Sequence, residues 1–341
     1  MNTEFFAALE LLEKEKGIPQ DYMLEKVENA LVSAYKKEMG GSNVRVVIDK
    51  EKKDVRLFQE KTVVEEVTDP VNEIQLDEAL RINHRCELGG ICEIELKPKS
   101  FRRLSAQSAK QVIIQGIREA ERGMIAREYE DKKEEIITAT VLRIDPENGN
   151  VVLDTGTSTA TLLKAEQIPG ESFTVDQKIK VFVMEVHKEQ LKGPIVTLSR
   201  THPGLVKRLF ELEVPEIQDG VVLIKNIARE AGSRTKMSVV SRDENVDAVG
   251  ACIGSKGMRI AGIVEELAGE KIDIIKYSAD PAEYVAAALA PAKVKQVIME
   301  EEKVCRVLVD ADQLSLAIGK EGQNARLAAR LTGYKIDIKM E

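Results

Sequence analysis

Apolar residues recur at helical spacing in the first part of the chain, and then the spacing changes to every second residue. Two amphipathic helices are predicted, over "TEFFAALELLEKEK" and "DYMLEKVENALVSAYKKEM", the second ended by Gly40-Gly41. Their apolar positions are Phe5, Leu9, Leu12, Met23, Val27, Ala30, Leu31 and Ala34. Strands are predicted for "NVRVVID", "DVRLFQEKTVVEEV" and "GGICEIEL". The pattern indicates an α+β domain without a recognisable chemical motif.

A long charged stretch from Ser100 to about Glu135 also has helical spacing. Ser100 or Ser105 is the expected N-cap, and one apolar stripe follows. That stripe consists of Val112, Ile113, Ile117 and Ala120. We interpret this segment as a helix that connects two domains.

Five short β-type runs fill residues 135–200: "EIITATVLRID", "NVVLDTG", "TATLLK", "KIKVFVMEV" and "PIVTLS". Turn-prone segments such as "PENGN" separate most of them. Five strands in so short a stretch favour an OB-fold barrel, which binds oligonucleotides on one face. Another small barrel or sandwich remains an alternative.

The rest of the chain contains an internal repeat. "IGSKGMRIAGIVEELAGEKIDII", from Ile253, is echoed by "IGKEGQNARLAARLTGYKIDIK", from Ile318. Each copy is preceded by two strand-like runs and a short helical piece. The predicted order in each unit is strand, strand, helix, G-x-x-G, helix, strand.

A glycine-framed loop with a lysine suggests phosphate binding, but the register excludes a nucleotide-hydrolysing loop. That loop requires G-x-x-x-x-G-K-[ST]. Gly257 stands where the first copy would need a hydroxyl, and in the second Leu314 and Glu321 replace the first glycine and the hydroxyl. No G-x-G-x-x-G follows a strand either, which argues against dinucleotide binding.

Helix–G-x-x-G–helix is instead typical of the KH module, whose loop clamps the backbone of about four nucleotides. Gly254 and Gly257 allow a sugar-phosphate backbone to approach, while Lys256 and Arg259 supply charge. A single G-x-x-G occurs in ordinary helix turns, but two copies in the same context favour the KH interpretation. We therefore predict two tandem type II KH domains.

The second loop differs in charge. Glu321 in "GKEG" opposes Lys320 at a place where phosphate is expected. Arg326 and Arg330, one helical turn apart, either compensate for it or only solvate their helix face. The second module could thus bind RNA more weakly than the first.

The composition limits the classes of protein to which this sequence can belong. The chain has 341 residues, enough for two to four domains, 43% hydrophobic and 32% charged residues, and a net charge of -8. An acidic chain that binds RNA needs local basic patches or tethering. No apolar run or signal pattern suggests a membrane or export, so we expect a soluble cytoplasmic protein. Cys86 and Cys92 lie near His84, but reduced thiols are a better interpretation than a metal site.

An OB-like barrel followed by tandem KH modules resembles one bacterial family, the NusA transcription elongation, termination and antitermination factors. The resemblance covers roughly residues 130–341. Its hallmarks are "LSRTHPGLVKRLFELEVPEI", "IAREAGSRTKMSVVS", "NVDAVGACIG", "GEKIDII" and "AIGKEGQNARLAARLTG". The expected domains are an N-terminal domain with the connecting helix (1–130), an OB-fold (131–200), a first KH domain (201–277) and a second (278–341).

The resemblance implies a monomeric, non-enzymatic factor without cofactor or metal. Its N-terminal domain would dock on RNA polymerase, promoting pausing and intrinsic termination, while barrel and KH domains hold single-stranded nascent RNA. Antitermination complexes would add NusB, NusG and a small-subunit ribosomal protein. Some members carry C-terminal acidic repeats that modulate RNA binding. This sequence ends at Glu341 without them, so we expect that regulation to be absent.

Carried over to this sequence, the resemblance implies RNA contacts in both loops and at the barrel exit. They are Gly254, Ser255, Lys256, Gly257, Arg259, Gly319, Lys320, Gly322, Gln323, Asn324, Arg326, Arg200 and His202. For His202 the alternative is a hydrogen bond that fixes the junction between barrel and KH domain. Arg234 and Lys236 face either RNA or solvent. We expect Gly254→Asp to abolish most RNA binding with the fold intact.

Two other classes remain open. KH and OB modules also occur in phosphorolytic exoribonucleases, but those need a large catalytic core, and only three scattered histidines are present: His84, His187 and His202. A ribosomal or ribosome-assembly protein is the other alternative.

Overall fold

The computed structural model of the chain describes residues 2–38, 43–49, 52, 54–96, 101–156, 158–187, 195–300 and 303–340. The chain divides into two compact units, residues 1–124 and 125–341. The division falls inside the long helix that we predicted as a connector. Among the described helices, none combines the length and apolarity that crossing a bilayer would require.

The first unit is an α+β domain, as the periodicity predicts. Its helices are α1 (Asn2–Lys16), α2 (Gln20–Glu38), α3 (Leu76–Ile82) and α4 (Phe101–Glu130), and its strands are β1 (Asn43–Asp49), β2 (Asp54–Val64), β3 (Glu73–Gln75) and β4 (Ile91–Glu95). β2 pairs with the other three strands, in parallel only with β3. Val27 and Leu31 of α2 pack on Val44 and Val46, because alternate positions of β1 face the helix.

Some details of the prediction for this unit can now be compared with the structure. Gly40-Gly41 and Ser100 lie outside the described residues. Ser105 lies within α4, so it is not an N-cap. In α1 the buried apolar residues include Phe6 and Leu9.

The second unit begins with a five-stranded barrel. Its strands are β5 (Ile136–Ile144), β6 (Val151–Asp154), β7 (Thr159–Leu162), β8 (Lys178–Val186) and β9 (Val196–Ser199). The order is β7-β6-β5-β8-β9, and β7 and β9 approach each other, which nearly closes the barrel. This is a five-stranded Greek-key barrel, and the OB-fold prediction is confirmed. Tyr129, from the last turn of α4, packs into the barrel core.

Two three-stranded units follow with the same topology. The first contains α5 (Pro203–Glu213), α6 (Pro215–Gln218), β10 (Val222–Glu230), β11 (Arg234–Ser241), α7 (Ala248–Ile253), α8 (Met258–Glu266) and β12 (Lys271–Lys276). The second contains α9 (Pro281–Ala288), β13 (Val294–Met299), β14 (Val304–Val309), α10 (Ala311–Ile318), α11 (Gln323–Thr332) and β15 (Lys335–Met340). In both, the middle strand pairs antiparallel with the first and parallel with the last. The predicted type II KH pair is confirmed.

The barrel and the KH units share apolar cores. Phe182 of the barrel packs into the core of the first KH unit, and Ala228 and Ile275 of the first pack into the core of the second. The hydroxyl of Tyr284 in α9 donates to Ser238 Oγ of β11 at 2.9 Å. These contacts fix the barrel and the two KH units, with their G-x-x-G loops, relative to one another.

Candidate nucleic-acid interface

The two G-x-x-G loops have nearly the same backbone. In the first, φ is +75° at Gly254, +51° at Lys256 and +76° at Gly257. In the second, φ is +76° at Gly319, +53° at Glu321 and +76° at Gly322. Each loop turns one short helix into the next within four residues, so the sequence repeat is also a repeat of conformation.

The first glycine of each loop is required by its surroundings. A Cβ at Gly254 would lie 2.7 Å from Cγ of Arg259, and one at Gly319 would lie 2.8 Å from Cβ of Asn324. The backbone of Gly254, with φ +75° and ψ 173°, is also a conformation that only glycine adopts readily. Gly254→Asp therefore strains the loop itself, so a loss of RNA binding in that variant would not report on the phosphate contact alone.

The central side chains of both loops are exposed. Lys256 forms no hydrogen bond or ion pair with any described residue, and Ser255 is equally exposed. Lys320 and Glu321 occupy the same two places in the second loop and are exposed as well. The position with the left-handed φ thus carries a cation in one loop and an anion in the other.

Apolar side chains border each loop. Ile253 and Met258 are 37% and 69% exposed on either side of the first, and Leu316 and Ile318 are 47% and 39% exposed before the second. Exposed apolar groups beside a backbone-binding turn are suited to unstacked bases. Of these four residues, none was among the predicted RNA contacts.

Arg259 and Asn324, which we predicted to bind RNA, hold the loops in shape. Arg259 Nη1 donates to the carbonyl of Ala251 at 2.7 Å, and Asn324 Nδ2 donates to the carbonyl of Leu316 at 3.2 Å. Each side chain reaches back from the second helix to the end of the first. Asn324 is only 1% exposed, so we leave it out of the RNA contacts proposed below.

Gln323 and Arg326 face the first KH unit, where both contact Glu230 at the end of β10. Gln323 Nε2 lies 2.9 Å from Glu230 Oε2 and 2.7 Å from Ser233 Oγ. Arg326 Nε lies 2.9 Å from Glu230 Oε1, and Arg330 approaches the same oxygen at 3.8 Å. The start of α11 therefore lies against the β10–β11 turn, where Arg326 pairs directly with Glu230. The same side chain also donates to the carbonyl of Glu321 at 2.9 Å.

Arg200 is an internal anchor. Its side chain is 2% exposed, and its guanidinium donates to both carboxylate oxygens of Glu171, at 3.0 and 2.5 Å. It also donates to Glu266 Oε1 at 2.9 Å and to the carbonyls of Lys180 and Glu266. An enclosed guanidinium with these partners is not available to a phosphate, so we leave Arg200 out of the RNA contacts proposed below.

His202 begins α5. Its Nδ1 accepts a hydrogen bond from the amide of Gly204 at 3.0 Å, and its carbonyl accepts one from Arg229 Nη1 at 2.9 Å. The junction role that we kept as an alternative is therefore present. The imidazole is nevertheless exposed, unlike the side chain of Arg200.

Family models match three parts of the chain. The NusA N-terminal domain matches residues 4–123, the NusA-like first KH domain residues 200–277 and the NusA-like second KH domain residues 281–341. Together they cover most of the sequence. The chain belongs to the NusA family.

Relatives of full length agree with that assignment. The transcription termination/antitermination protein NusA of Halalkalibacterium halodurans is 53% identical, over 100% of this chain and 89% of its own. The protein of the same name from Bacillus subtilis is 52% identical, over 100% and 92%. That of Thermus thermophilus is 42% identical, over 98% and 89%. The predicted role as an RNA-binding transcription factor is confirmed at this level.

Three acidic residues of this NusA-family chain were missed by sequence reasoning. Besides Glu230, Asp273 pairs with both Arg234 and Lys236, at 2.7 and 2.9 Å. Lys236 is fully buried and also donates to the carbonyl of Ala290, so neither RNA nor solvent is its environment. The third, Glu270, is buried against Arg229. Such partners are separated widely in sequence, and nothing in local spacing indicates them.

The cysteines of the N-terminal domain form no metal cluster within the described residues. Cys86 packs against the apolar cluster that contains Cys92. Burial raises the pKa of Cys92 to about 11, so its thiol stays protonated at neutral pH. The environment is that of structural thiols.

Proposed function

We propose that this protein captures single-stranded nascent RNA through residues 125–341 while residues 1–124 dock on RNA polymerase. The observation that supports this most is the pair of conformationally equivalent G-x-x-G turns beside a five-stranded barrel. Each turn allows close approach of a sugar-phosphate backbone. The acidic chain makes RNA affinity dependent on tethering, which a polymerase-bound domain supplies as high effective concentration.

The RNA contacts that we retain are the glycines of both loops and the exposed polar residues that have no ion-pair partner among the described residues. They are Gly254, Ser255, Lys256, Gly257, Gly319, Lys320, Gly322 and His202, with the bordering side chains Ile253, Met258, Leu316 and Ile318. Arg259 donates to the carbonyl of Ala251 and Arg326 to that of Glu321, whereas Gln323 contacts Glu230 and Ser233. We therefore propose that these three side chains act on RNA by holding the loops in place. The domain ranges 1–130, 131–200, 201–277 and 278–341 remain part of this proposal.

On polymerase, the protein promotes pausing and intrinsic termination, and it joins antitermination complexes with NusB, NusG and a small-subunit ribosomal protein. It acts in the cytoplasm as a monomer and catalyses no reaction. The support is membership of a family named for termination and antitermination.

A pull-down with purified RNA polymerase, combined with a pausing assay on a hairpin template, tests the overall proposal. The full chain should bind polymerase and lengthen the hairpin pause. Shortening of an RNA incubated with phosphate or magnesium would support an exoribonuclease instead. Recovery on small ribosomal subunits but not on polymerase would support a ribosomal role.

Exchanging the charges of the two loops tests the clamp directly. Lys256→Glu should weaken binding of single-stranded RNA about tenfold, since a charge-assisted contact to phosphate is lost. It should also reduce the slope of log K against log salt by about 0.7. Glu321→Lys, at the matching backbone position, should strengthen binding and steepen that slope.

The double variant Lys256→Glu/Glu321→Lys is the matched control, because it keeps the net charge. If overall charge alone governed binding, the double variant would match wild type. If the first loop holds RNA more tightly than the second, the double variant should bind RNA more weakly than wild type at the same net charge. Equal affinities of wild type and Lys256→Glu would contradict the clamp.

A further inference from the structure

The junction between barrel and first KH unit contains a ready-made aromatic surface. The imidazole of His202 stacks on the ring of Phe182, with centroids 4.8 Å apart and an interplanar angle of 8°. Phe182 is 4% exposed, whereas His202 is exposed. Because Phe182 covers one face of the imidazole, the exposed part is the opposite face and the ring edge.

The imidazole is fixed before any ligand arrives. Its Nδ1 accepts from the amide of Gly204, so in the neutral ring the proton is on Nε2, which has no partner among the described residues. Its backbone amide donates to Ser199 Oγ at 3.0 Å, and its carbonyl is held by Arg229. A ring with fixed position loses little entropy when another ring stacks on it.

Gly204 is part of the same arrangement. A Cβ there would lie 2.6 Å from Cε2 of Phe182 and 2.8 Å from Nδ1 of His202. Only glycine allows helix α5 to approach both rings this closely. The "THPG" segment therefore builds the stack as well as starting the helix.

A cleft of about 330 Å³ adjoins the stack. Its walls include Phe182, Met184, His202 and Lys207, together with the acidic side chains Glu134 and Glu185. The volume is within the range of small-ligand clefts, roughly 300–1,000 Å³. Arg208 also lines the cleft, and its guanidinium is paired with Glu135 and Glu211. The two acidic and two basic residues of the lining balance in charge, so the aromatic and thioether walls favour a flat neutral ring. Lys207, half-exposed at the rim, is available to a phosphate outside it.

We infer that this cleft binds one unpaired nucleobase, stacked on His202, in RNA that runs between the barrel and the first KH clamp. The inference rests on the proposed RNA-binding function and adds a base subsite to it. Base stacking on aromatic side chains tolerates any sequence, as the capture of varied transcripts requires. A nucleobase is favoured over an aromatic side chain of a protein partner because RNA-binding modules lie on both sides of the cleft.

Two substitutions separate stacking from helix capping. In the full-length protein, His202→Phe keeps an aromatic surface but removes the N-cap acceptor, whereas His202→Asn keeps a good N-cap but removes the ring. The stacking role predicts that His202→Asn binds a fluorescein-labelled single-stranded RNA roughly tenfold more weakly and that His202→Phe stays within about threefold of wild type. Thermal stability should show the opposite order, with the Phe variant the less stable.

A 2-aminopurine placed successively along the RNA gives a direct readout. One position should be quenched by wild type and His202→Phe and remain bright with His202→Asn. If affinity instead follows stability, so that Asn binds normally and Phe binds weakly, His202 acts only as a cap and the inference is overturned. The inference is also overturned if His202→Asn keeps its RNA affinity but no longer binds RNA polymerase, since the cleft would then bind a side chain of a protein partner.

Lys256→Glu distinguishes failure of the subsite from failure of the proposed function. If Lys256→Glu weakens RNA binding and His202→Asn does not, only the base subsite is refuted. If neither weakens it, the RNA-capture function fails together with the subsite.

Discussion

Arg200→Ala should destabilise residues 125–341 strongly and leave RNA recognition by the folded protein nearly unchanged. The side chain is 2% exposed and joins Glu171 of the barrel to Glu266 at the end of α8. Its loss leaves Glu171, 7% exposed, without a counter-charge. Removing one partner of a buried ion pair costs about 3–5 kcal/mol.

For a unit of this size, that loss corresponds to a fall of roughly 6–20 °C in the melting temperature, at about 2–4 °C per kcal/mol. Calorimetry of the full chain should show this fall in the transition of residues 125–341. RNA affinity is then measured by anisotropy well below the melting temperature of the variant. It should lie within about twofold of wild type, because the guanidinium contacts only protein.

Arg306→Ala is the matched control. Its ion pair with Glu300 is exposed, with 43% and 38% of the two side chains accessible, and exposed pairs contribute about 0–1 kcal/mol. The reasoning is refuted if Arg200→Ala melts within 2 °C of the Arg306→Ala control, on the order of 1 kcal/mol or less. A large loss of RNA affinity at unchanged stability would restore Arg200 as an RNA contact.

Three further predictions concern the same unit. Glu270→Ala should lower the free energy of unfolding by about 3–5 kcal/mol, because it leaves the buried Arg229 without its carboxylate partner. Denaturant titration measures this loss, and a loss below about 1 kcal/mol would contradict the prediction. Gly204→Ala should cost about 1–3 kcal/mol by overpacking the Phe182 ring, and a melting temperature equal to wild type would speak against the packing described. The hydrogen bond from Arg326 holds the pKa of Glu230 below its ordinary 4.5. The ion pair between Glu230 and Arg326 therefore contributes its full stabilisation above pH 4.5. This contribution is lost as the pH falls through the lower pKa that Glu230 has in the folded protein. Melting temperatures of wild type and Glu230→Gln should differ at pH 7 and converge as the pH falls, and a gap that does not narrow anywhere below pH 4.5 would argue against this ion pair.

Much of the architecture follows from local pattern. Alternation in "KIKVFVMEV" predicts a barrel strand because successive side chains of an extended chain point to opposite faces. The repeat of "IGSKG" in "IGKEG" predicts two equal turns because glycines at fixed spacing allow the same positive φ values. Local conformation depends on neighbouring residues, and these are present in the sequence.

Local pattern did not predict which basic side chains form ion pairs within the protein. Arg200 meets Glu171, 29 residues earlier, and Glu266, 66 residues later. Arg326 meets Glu230 across 96 residues. A list of basic residues near a loop therefore overestimates the number of side chains that can contact RNA. In an acidic chain, some of these basic side chains are already paired with carboxylates of the same protein.

By itself, the sequence determined the family, the order of elements and the shape of both clamp loops, since each depends on residues close together in the chain. Only the tertiary structure decided which side chains remain available. It placed Arg200 and Asn324 in the interior, left Lys256 exposed, and set His202 against Phe182 beside an open cleft. The physical reason is that ion pairing, burial and ring stacking depend on distances in space that the folded core alone establishes.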